Sequence, residues 1–458
     1  MGPRARIEKT ALARRSHCAV QVSHSLRNFR ERVASGRLSL SWGSHLSLSR
    51  RSFVATAASL TAAASSFGID PALASVSADA RAASDDDPLG VRADFPIVRT
   101  RTYLNSAYIT PVPRQVVAVG QDFVESKSVR PIPLGDMLKK TDEVRGQFAH
   151  LVKASPDEIG FLFATSEGEN VVANALDLGR GDNVVIDELH YETEFVLYRH
   201  LESTKGVELR IAKHHEGAVT IRDFEPLVDR RTKLVSVSWV SHQNGFRHDM
   251  RPIADLAHAH GALFYADAIQ AVGMFPIDVR QAGVDFLCCG TYKWVLGGFG
   301  VAPFFIRHEL LDRIRIDRFG ALHVAKELPG QRFELYKTAK RYDYATLPFG
   351  EVYQLGVGIT YVEGVGLDRI EQHTVALAME LRAGLAAQGH RLFTPEGNAS
   401  SIVTFFFTRD PAEMRSAFDV AKIDTTVRDA LKQVRVSPAL FNTKDDVARI
   451  LEVTRKLR

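Results

Sequence analysis

Residues 265–273 read YADAIQAVG, and residues 290–300 read GTYKWVLGGFG. The two stretches place Asp267 and Gln270 at the end of one apolar run and Lys293 just after the next. In open α/β sheets the carboxyl ends of parallel strands meet at one edge, where ligands bind. A lone aspartate at a strand end is usually a turn residue, and a lysine between aromatic residues is often a surface residue. The presence of both residues at neighbouring strand ends favours a binding site. The GGFG segment after Lys293 supports this reading, because glycines let the backbone approach a ligand closely.

A carboxylate, an amide and a lysine at strand ends are the groups that pyridoxal phosphate (PLP) chemistry requires. The lysine forms a Schiff base with the cofactor aldehyde. The carboxylate keeps the pyridine nitrogen protonated, so that the ring accepts electrons from a substrate carbanion. The amide is suited to hydrogen-bond the phenolate oxygen. The sequence therefore predicts a PLP enzyme with Lys293, Asp267 and Gln270 around its cofactor.

Short β-branched and aromatic runs alternate with helical patterns from residue 91 onward. This alternation is typical of a mostly parallel α/β sheet with helices on both faces. We predict seven strands in this region: FLFAT (161–165), NVVID (183–187), LRIAK (209–213), KLVSVSWV (233–240), ALFYAD (262–267), DFLCCG (285–290) and APFFIR (302–307).

Near residue 350 the pattern changes to a long helical stretch (350–388), followed by three strand-like runs, RLFTP, SIVTFFFTR and VRVSP, and a closing helix. This order predicts a smaller α+β domain. The predicted organisation is therefore a leader (1–74), a linker (75–96), a large PLP-binding domain (97–350) and a small C-terminal domain (351–458).

Basic residues are concentrated at the N-terminus. Residues 1–74 contain 11 Lys and Arg against 3 Asp and Glu, so the rest of the chain has more acidic than basic residues and gives no sign of nucleic-acid binding. Arg50 and Arg51 precede a weakly apolar segment, and an A-x-A cleavage site ends at Ala74. The pattern predicts a twin-arginine export signal and a periplasmic or secreted protein, with an Arg-rich tail or transit peptide as the alternative. The apolar run is too short for a stable membrane span.

Cysteine is rare. Cys18 lies in the leader, and Cys288 and Cys289 are adjacent on an apolar run. Neighbouring residues on a strand point to opposite faces, so this pair is not expected to form a disulfide. The sequence contains no pattern of metal-ligand spacing.

FLFATSEGENVVANAL (161–176) reads as a strand, a tight turn and a helix. A helix N-terminus offers unpaired N–H groups and a positive dipole to a phosphate. Ser166 and the amides of Glu167 and Gly168 are therefore the predicted ligands of the PLP phosphate. An ordinary helix-capping arrangement would give the same pattern.

Six stretches of the chain together form a family pattern: TYLNSAYITPVP (102–113), ATSEGEN (164–170), the 236–273 segment ending in ADAIQAVG, DFLCCGTYKWVLGGFG (285–300), RYDYATLPF (341–349) and VRVSPALFNTKDDV (434–447). By these stretches the chain resembles the class V aminotransferase-fold proteins among the fold-type I PLP enzymes, in the isopenicillin N epimerase-like branch. The group also includes cysteine desulfurases and kynureninases. The resemblance implies a homodimer with shared active sites and a small amino acid substrate.

By this resemblance Lys293 carries the cofactor, Asp267 pairs with the pyridinium and Gln270 contacts the phenolate. Tyr191 matches the position that stacks on the pyridine ring, where desulfurases have histidine; a core tyrosine is the alternative. Where many relatives have asparagine near the phenolate oxygen, this chain has SHQN, so that His242 and Asn244 are both candidates.

Three further residues match the family in the second half of the chain. In RYDYATLPF, Arg341 matches a substrate-site arginine and Thr346 matches the threonine that reaches the partner subunit's phosphate, although Ala345 replaces the usual glycine. Arg435 matches the arginine that binds a substrate α-carboxylate, a role that suits a bidentate guanidinium. A surface arginine on a strand is the alternative for Arg435.

The reaction stays open at this stage. The resemblance implies an amino acid or amine processed through an external aldimine and a Cα carbanion, with epimerase-like or C–S/β-lyase chemistry favoured and transamination as the alternative. In an epimerase, Lys293 with Tyr191 or His242 would supply the two acid/base groups. Because no cysteine follows Cys289, the sequence argues against cysteine desulfurase activity. An exported, catalytically silent PLP-binding protein is the alternative of another class.

Overall fold

A seven-stranded sheet forms the centre of the molecule in the computed structural model, which describes Ser84 and residues 87–457. All of these residues belong to one compact unit, Asp70–Arg458. The strands are β1 (Thr102–Tyr103), β2 (Ile159–Leu162), β3 (Asn183–Asp187), β4 (Glu208–Ala212), β5 (Thr232–Ser238), β6 (Leu263–Asp267), β7 (Phe286–Cys288), β8 (Ala302–Ile306), β9 (Val324–Leu328), β10 (Arg332–Leu335), β11 (Val403–Phe406), β12 (Ile423–Asp424), β13 (Thr426–Arg428) and β14 (Gln433–Val436).

Helices separate most of these strands along the chain. They are α1 (Arg114–Val129), α2 (Leu134–Leu151), α3 (Thr165–Ala175), α4 (Glu192–Lys205), α5 (Ile221–Phe224), α6 (Met250–Ala259), α7 (Val279–Ala282), α8 (Phe349–Val365), α9 (Leu367–Ala387), α10 (Pro411–Val420) and α11 (Lys444–Lys456).

The central sheet is mostly parallel. Its strand order is β2-β8-β7-β6-β5-β3-β4, and β8 runs in the direction opposite to the other six strands. Both faces are buried, since Val185 of β3 belongs to one apolar cluster and its neighbours Val184 and Ile186 belong to another. This alternation follows the two-residue period of a strand and confirms the predicted α/β architecture.

A second, three-stranded antiparallel sheet has the order β11-β14-β13 and packs with α9, α10 and α11 around a separate apolar cluster. Helix α11 begins with a capping box, in which Thr443 Oγ1 accepts from the Asp446 amide and Asp446 accepts from the Thr443 amide. These elements correspond to the predicted C-terminal α+β segment. The boundary predicted at residue 350 falls inside α8, and the division into two domains stays a prediction.

Local differences from the expected elements have physical causes. The single helix expected over 350–388 is broken at Gly366, which has φ +93°, a conformation that residues with a Cβ rarely adopt. RLFTP forms only an isolated bridge, Leu392 to Phe405, instead of a strand. The β9–β10 hairpin was missed because its strands are largely exposed and lack an apolar face.

The predictions for the cysteine pair and for membrane-spanning helices can be compared with the structure. Cys288 and Cys289 are free and buried, and they belong to apolar clusters on opposite faces of the sheet, as their adjacency predicts. Within the described range, no helix combines the length and apolar character that a membrane crossing requires. The predicted leader lies outside the described residues.

Candidate active site

A cavity of about 250 Å³ opens where β5, β6 and the first turn of α3 come together. This is the carboxyl edge of the parallel strands, where the topology places ligands. The cavity brings together six of the predicted site residues: Ser166, Tyr191, His242, Asp267, Gln270 and Lys293.

A larger groove of about 560 Å³ lies around Arg247 and Lys153. The cations of this groove already have acidic partners, Glu371 for Arg247 and Asp278 for Lys153. Acidic side chains therefore balance these two cations, whereas the smaller cavity contains a lysine that has no such partner among the described residues.

Lys293 is 7% exposed and lies in the tight turn that follows β7. In the described part of the chain its ammonium has no hydrogen bond or ion pair, and its nearest ring contact is Tyr292 at 5.6 Å. Burial, together with the positive charge of Arg435, lowers the pKa of Lys293 to about 8, although Asp267 opposes this shift. A lowered pKa increases the fraction of unprotonated amine, the form that attacks an aldehyde.

Asp267 ends β6 and is 4% exposed. Its Oδ1 accepts a hydrogen bond from the Ile269 amide at 3.0 Å, whereas Oδ2 has no such partner among the described residues. Burial raises the pKa of Asp267 to about 6, and the Ile269 amide and Lys293 partly offset that shift. A cationic ring nitrogen placed at this carboxylate would favour its ionised form.

The first turn of α3 provides the predicted phosphate site. Its N-cap, Ala164, has no capping side chain, and Thr165 and Ser166 both line the cavity. The Thr165 hydroxyl accepts from the Gly290 amide at 2.9 Å, which joins the turn to the segment before Lys293. Thr165 was missed by the sequence reasoning; its place before Ser166 at a strand–helix junction was the available signal.

Glu167 and Gly168 do not line this cavity. The Glu167 carboxylate accepts from the Phe163 amide at 2.7 Å and pairs closely with Arg318. A Cβ added at Gly168 would lie 2.7 Å from Cβ of Cys288, so glycine allows α3 to pack directly on β7. The predicted role of their backbone amides in phosphate binding stays a prediction.

Tyr191 and His242 form one wall of the cavity. Their rings are nearly perpendicular, with centroids 5.0 Å apart, and Tyr191 is 41% exposed at the start of α4. His242 Nε2 lies 3.1 Å from the Glu192 carboxylate. This hydrogen bond lowers the pKa of Glu192 to about 2, but burial outweighs it at the histidine and lowers the pKa of His242 to about 4. His242 is therefore neutral at pH 7 and a weak base.

Gln270 is fixed by two hydrogen bonds. Its Nε2 donates to the Ala107 carbonyl at 2.9 Å, and its Oε1 accepts from Trp294 Nε1 at 2.8 Å. One N–H of Nε2 remains for a cofactor oxygen. Asn244, the alternative candidate near that oxygen, lies away from the cavity and donates to the Gly217 carbonyl at 2.7 Å.

Arg435 lies on β14 and is 5% exposed. Its Nη1 donates to the His242 carbonyl at 2.8 Å, and its Nη2 donates to Thr426 Oγ1 at 3.2 Å. Its buried Nε has no hydrogen-bond partner among the described residues. Burial and the neighbouring charge of Arg428 lower the pKa of Arg435 to about 9. Arg435 does not itself line the cavity, but its guanidinium contacts His242, which does, and it has no carboxylate partner in the described part of the chain.

Arg341 and Thr346 lie outside the cavity. Arg341 donates to the carbonyls of Tyr336 and Leu311, each at 2.9 Å, and Thr346 is exposed. One chain contains no partner subunit, so their predicted roles stay predictions.

The family model for aminotransferase class V matches residues 102–450. The chain therefore belongs to the class V aminotransferase family. A probable cysteine desulfurase of Methanothermobacter thermautotrophicus is 30% identical over 341 residues, which cover 73% of this chain and 83% of that protein. An uncharacterized aminotransferase, YcbU of Bacillus subtilis, is 25% identical over 366 residues and covers 80% of this chain and 96% of its own length.

The fold matches solved structures of the same class. The apo cysteine desulfurase of Thermococcus onnurineus NA1 has a TM-score of 0.75 and 24% identity, covering 82% of this chain and 99% of that one. A C-DES mutant with glycine covalently linked to its PLP cofactor has a TM-score of 0.74 and 15% identity, covering 80% and 99%. These likenesses confirm the predicted fold-type I architecture.

The protein is thus a PLP-dependent class V enzyme, as the sequence predicted. The cavity fits this cofactor, since it combines an unpaired buried lysine, a carboxylate with a free oxygen and an uncapped helix N-terminus. The expectation against cysteine desulfurase activity is wrong, because relatives that match most of the chain are named cysteine desulfurases. That expectation assumed that a protein cysteine beyond Cys289 was indispensable. None of the relatives named above is an epimerase.

Proposed function

We propose that the protein cleaves the Cβ–S bond of a cysteine-type amino acid, as a desulfurase or a C–S lyase. The observation that carries this proposal is that Lys293 and Asp267 line one cavity of a chain whose relatives include proteins named cysteine desulfurase. A structural neighbour described as the cystine C–S lyase C-DES supports the same bond as the target. PLP, when bound, supplies the electron sink for this chemistry.

Each residue has a role that its surroundings support. Arg435 orients the substrate through its α-carboxylate, because its guanidinium is buried without an acidic partner. Lys293, with its lowered pKa, takes the proton from Cα. In a lyase the electron pair of the Cβ–S bond leaves with the sulfur. In a desulfurase a thiol attacks the sulfur, and the electron pair stays on Cβ, which becomes the methyl group of alanine. Tyr292 stacks on Phe299 at 4.4 Å, and the two rings form an apolar wall of the cavity beside this step.

Two sets of products satisfy the proposal. A lyase converts cysteine and water into pyruvate, ammonia and hydrogen sulfide. A desulfurase transfers the sulfur atom to a thiol, which becomes a persulfide, and releases alanine. Cys288 and Cys289 are not suited to be that thiol, because both are buried and burial raises the pKa of each.

The test incubates the PLP-loaded enzyme with L-cysteine and with L-cystine in the presence of an external thiol. Sulfide or persulfide, alanine and pyruvate are then quantified. We expect sulfur release with stoichiometric alanine or pyruvate, and its loss in Lys293→Ala. Sulfur release that does not differ between the native enzyme and this variant would contradict the proposal, as would the absence of any sulfur release.

Transamination is the second candidate, favoured by the likeness to YcbU. It predicts a keto acid that retains its sulfur, formed only when an amino-group acceptor is present. A silent PLP-binding protein, the candidate of another class, predicts that neither products nor saturable amino acid binding will be found, and that Arg435→Ala will have no effect.

We also propose that residues 1–74 direct twin-arginine export and that two copies of the chain share their active sites. Arg50-Arg51 before the Ala/Ser/Thr segment supports the export signal, and the exposure of Thr346 supports the shared active sites.

Export would be tested with a double Arg→Lys change at positions 50 and 51, which should retain the protein in the cytoplasm. Light scattering should give twice the chain mass, and a monomer would contradict the shared site.

A further inference from the structure

Two guanidinium groups converge on one backbone oxygen beside the cavity. Arg435 Nη1 donates to the His242 carbonyl at 2.8 Å, and Arg428 Nη2 donates to the same oxygen at 3.0 Å. Arg428 Nη1 also donates to the Gln243 carbonyl at 3.2 Å. Because both bonds end at one oxygen, the two guanidinium groups lie close together beside His242, which lines the cavity.

The strand pairing explains this convergence. Thr426 of β13 lies opposite Arg435 of β14, and Arg428 follows two residues after Thr426. Residues two apart on a strand point to the same face, so Arg428 is the diagonal neighbour of Arg435 on that face. The register of β13 and β14 therefore places Arg428 and Arg435 side by side on one face of the sheet.

Neither arginine has an acidic group within ion-pair distance in the described part of the chain. Glu192 acts on both over a longer distance, and its single charge faces two guanidinium groups. Lys293 adds a third basic group, since Arg435 acts on it electrostatically. Unbalanced charge in a buried place is costly, and a bound anion relieves that cost.

A single guanidinium group can bind one α-carboxylate through two hydrogen bonds, and Arg435 is the arginine assigned to that role. Arg428 is then left without a ligand. We propose that Arg428 binds a second acidic group, so that the substrate is an amino acid with a carboxylate or a sulfur oxyanion on its side chain. The proposal rests on the proposed function in so far as Arg435 holds the α-carboxylate. The alternative is that a single α-carboxylate bridges both arginines.

These two arrangements predict different preferences for an acidic over an amide side chain. Pairs of ligands that have the same size but differ in this charge measure the preference. The PLP-loaded enzyme would be titrated calorimetrically with L-aspartate against L-asparagine, and with S-carboxymethyl- against S-carbamoylmethyl-L-cysteine. We expect the acid of each pair to bind about tenfold more tightly than its amide, the range of a charged hydrogen bond. Arg428→Gln should abolish this preference and leave the affinity for the amides unchanged.

Arg428→Lys retains the charge and should retain part of the preference. Arg415→Gln is the matched control, because Arg415 pairs with Asp429 on the surface of the same region. Equal binding of acid and amide by the native enzyme would overturn the proposal even if Arg428→Gln failed to fold. Equal weakening of both ligands in Arg428→Gln would assign both arginines to one carboxylate. Aspartate and asparagine contain no sulfur, so their result is independent of the test for C–S cleavage.

Discussion

Trp294 donates its indole N–H to Gln270 Oε1 at 2.8 Å, and both side chains are buried. This hydrogen bond fastens the turn that contains Lys293 to the segment that follows β6. Gln270 in turn donates to the Ala107 carbonyl. Three segments distant in sequence are thus joined beside the lysine.

Trp294→Phe should lower the free energy of unfolding by about 1–3 kcal/mol, because it leaves the buried Gln270 oxygen without its donor. Urea denaturation of the apoprotein measures the change. Trp239→Phe is the control, since Trp239 is also buried but its indole N–H makes no hydrogen bond with a described residue. Equal losses in the two variants would assign the effect to ring volume and not to the hydrogen bond.

Lys293→Met should stabilise the apoprotein at neutral pH by up to about 3 kcal/mol, because a buried ammonium is removed. The pKa of Lys293 is lowered to about 8 in the folded state. Between that pH and the ordinary lysine range the unfolded state binds more protons, so native stability rises with pH. The advantage of the variant should therefore be greatest below pH 8 and shrink as pH rises. Lys337→Met, at an exposed position, should show no such trend.

Glu194→Gln should flatten the pH dependence of stability between about pH 5 and 8. Burial raises the pKa of Glu194, and the neighbouring carboxyl of Glu169 raises it further. An acid with a raised folded-state pKa binds more protons when folded, so the native protein loses stability as pH rises above the unfolded pKa. Thermal melts across this range would measure the difference. Glu225→Gln, at an exposed position, should leave the native slope unchanged.

Gly168→Ala should destabilise the protein by about 1–3 kcal/mol, because its methyl would press on Cys288 and Tyr265 Oη at 2.7–2.8 Å. Retention of PLP on dialysis should also fall, since α3 provides the predicted phosphate site. Gly146→Ala in α2 meets nothing within 4 Å and should stabilise by about 0.5–1 kcal/mol. A Gly168→Ala protein as stable as the native one would show that α3 is free to shift from the sheet.

Sequence reasoning anticipated the central sheet closely where burial on both faces left continuous apolar runs. NVVID is β3 with its predicted bounds. It failed where the pattern was weak, as in the exposed β9–β10 hairpin, or where one backbone angle decided the outcome, as at Gly366. Six site residues converge as expected because they follow strands whose carboxyl ends meet.

The sequence by itself determined the sheet, the lysine turn and the carboxylate at the end of β6, because alternating burial and strand-end chemistry are local properties. Only the tertiary structure determined which charged groups lie near these residues. Arg428 and Arg435 meet His242 from a sheet almost two hundred residues later in the chain. The unbalanced guanidinium pair and the lowered pKa of Lys293 arise from burial and distance between remote segments, which no local pattern records.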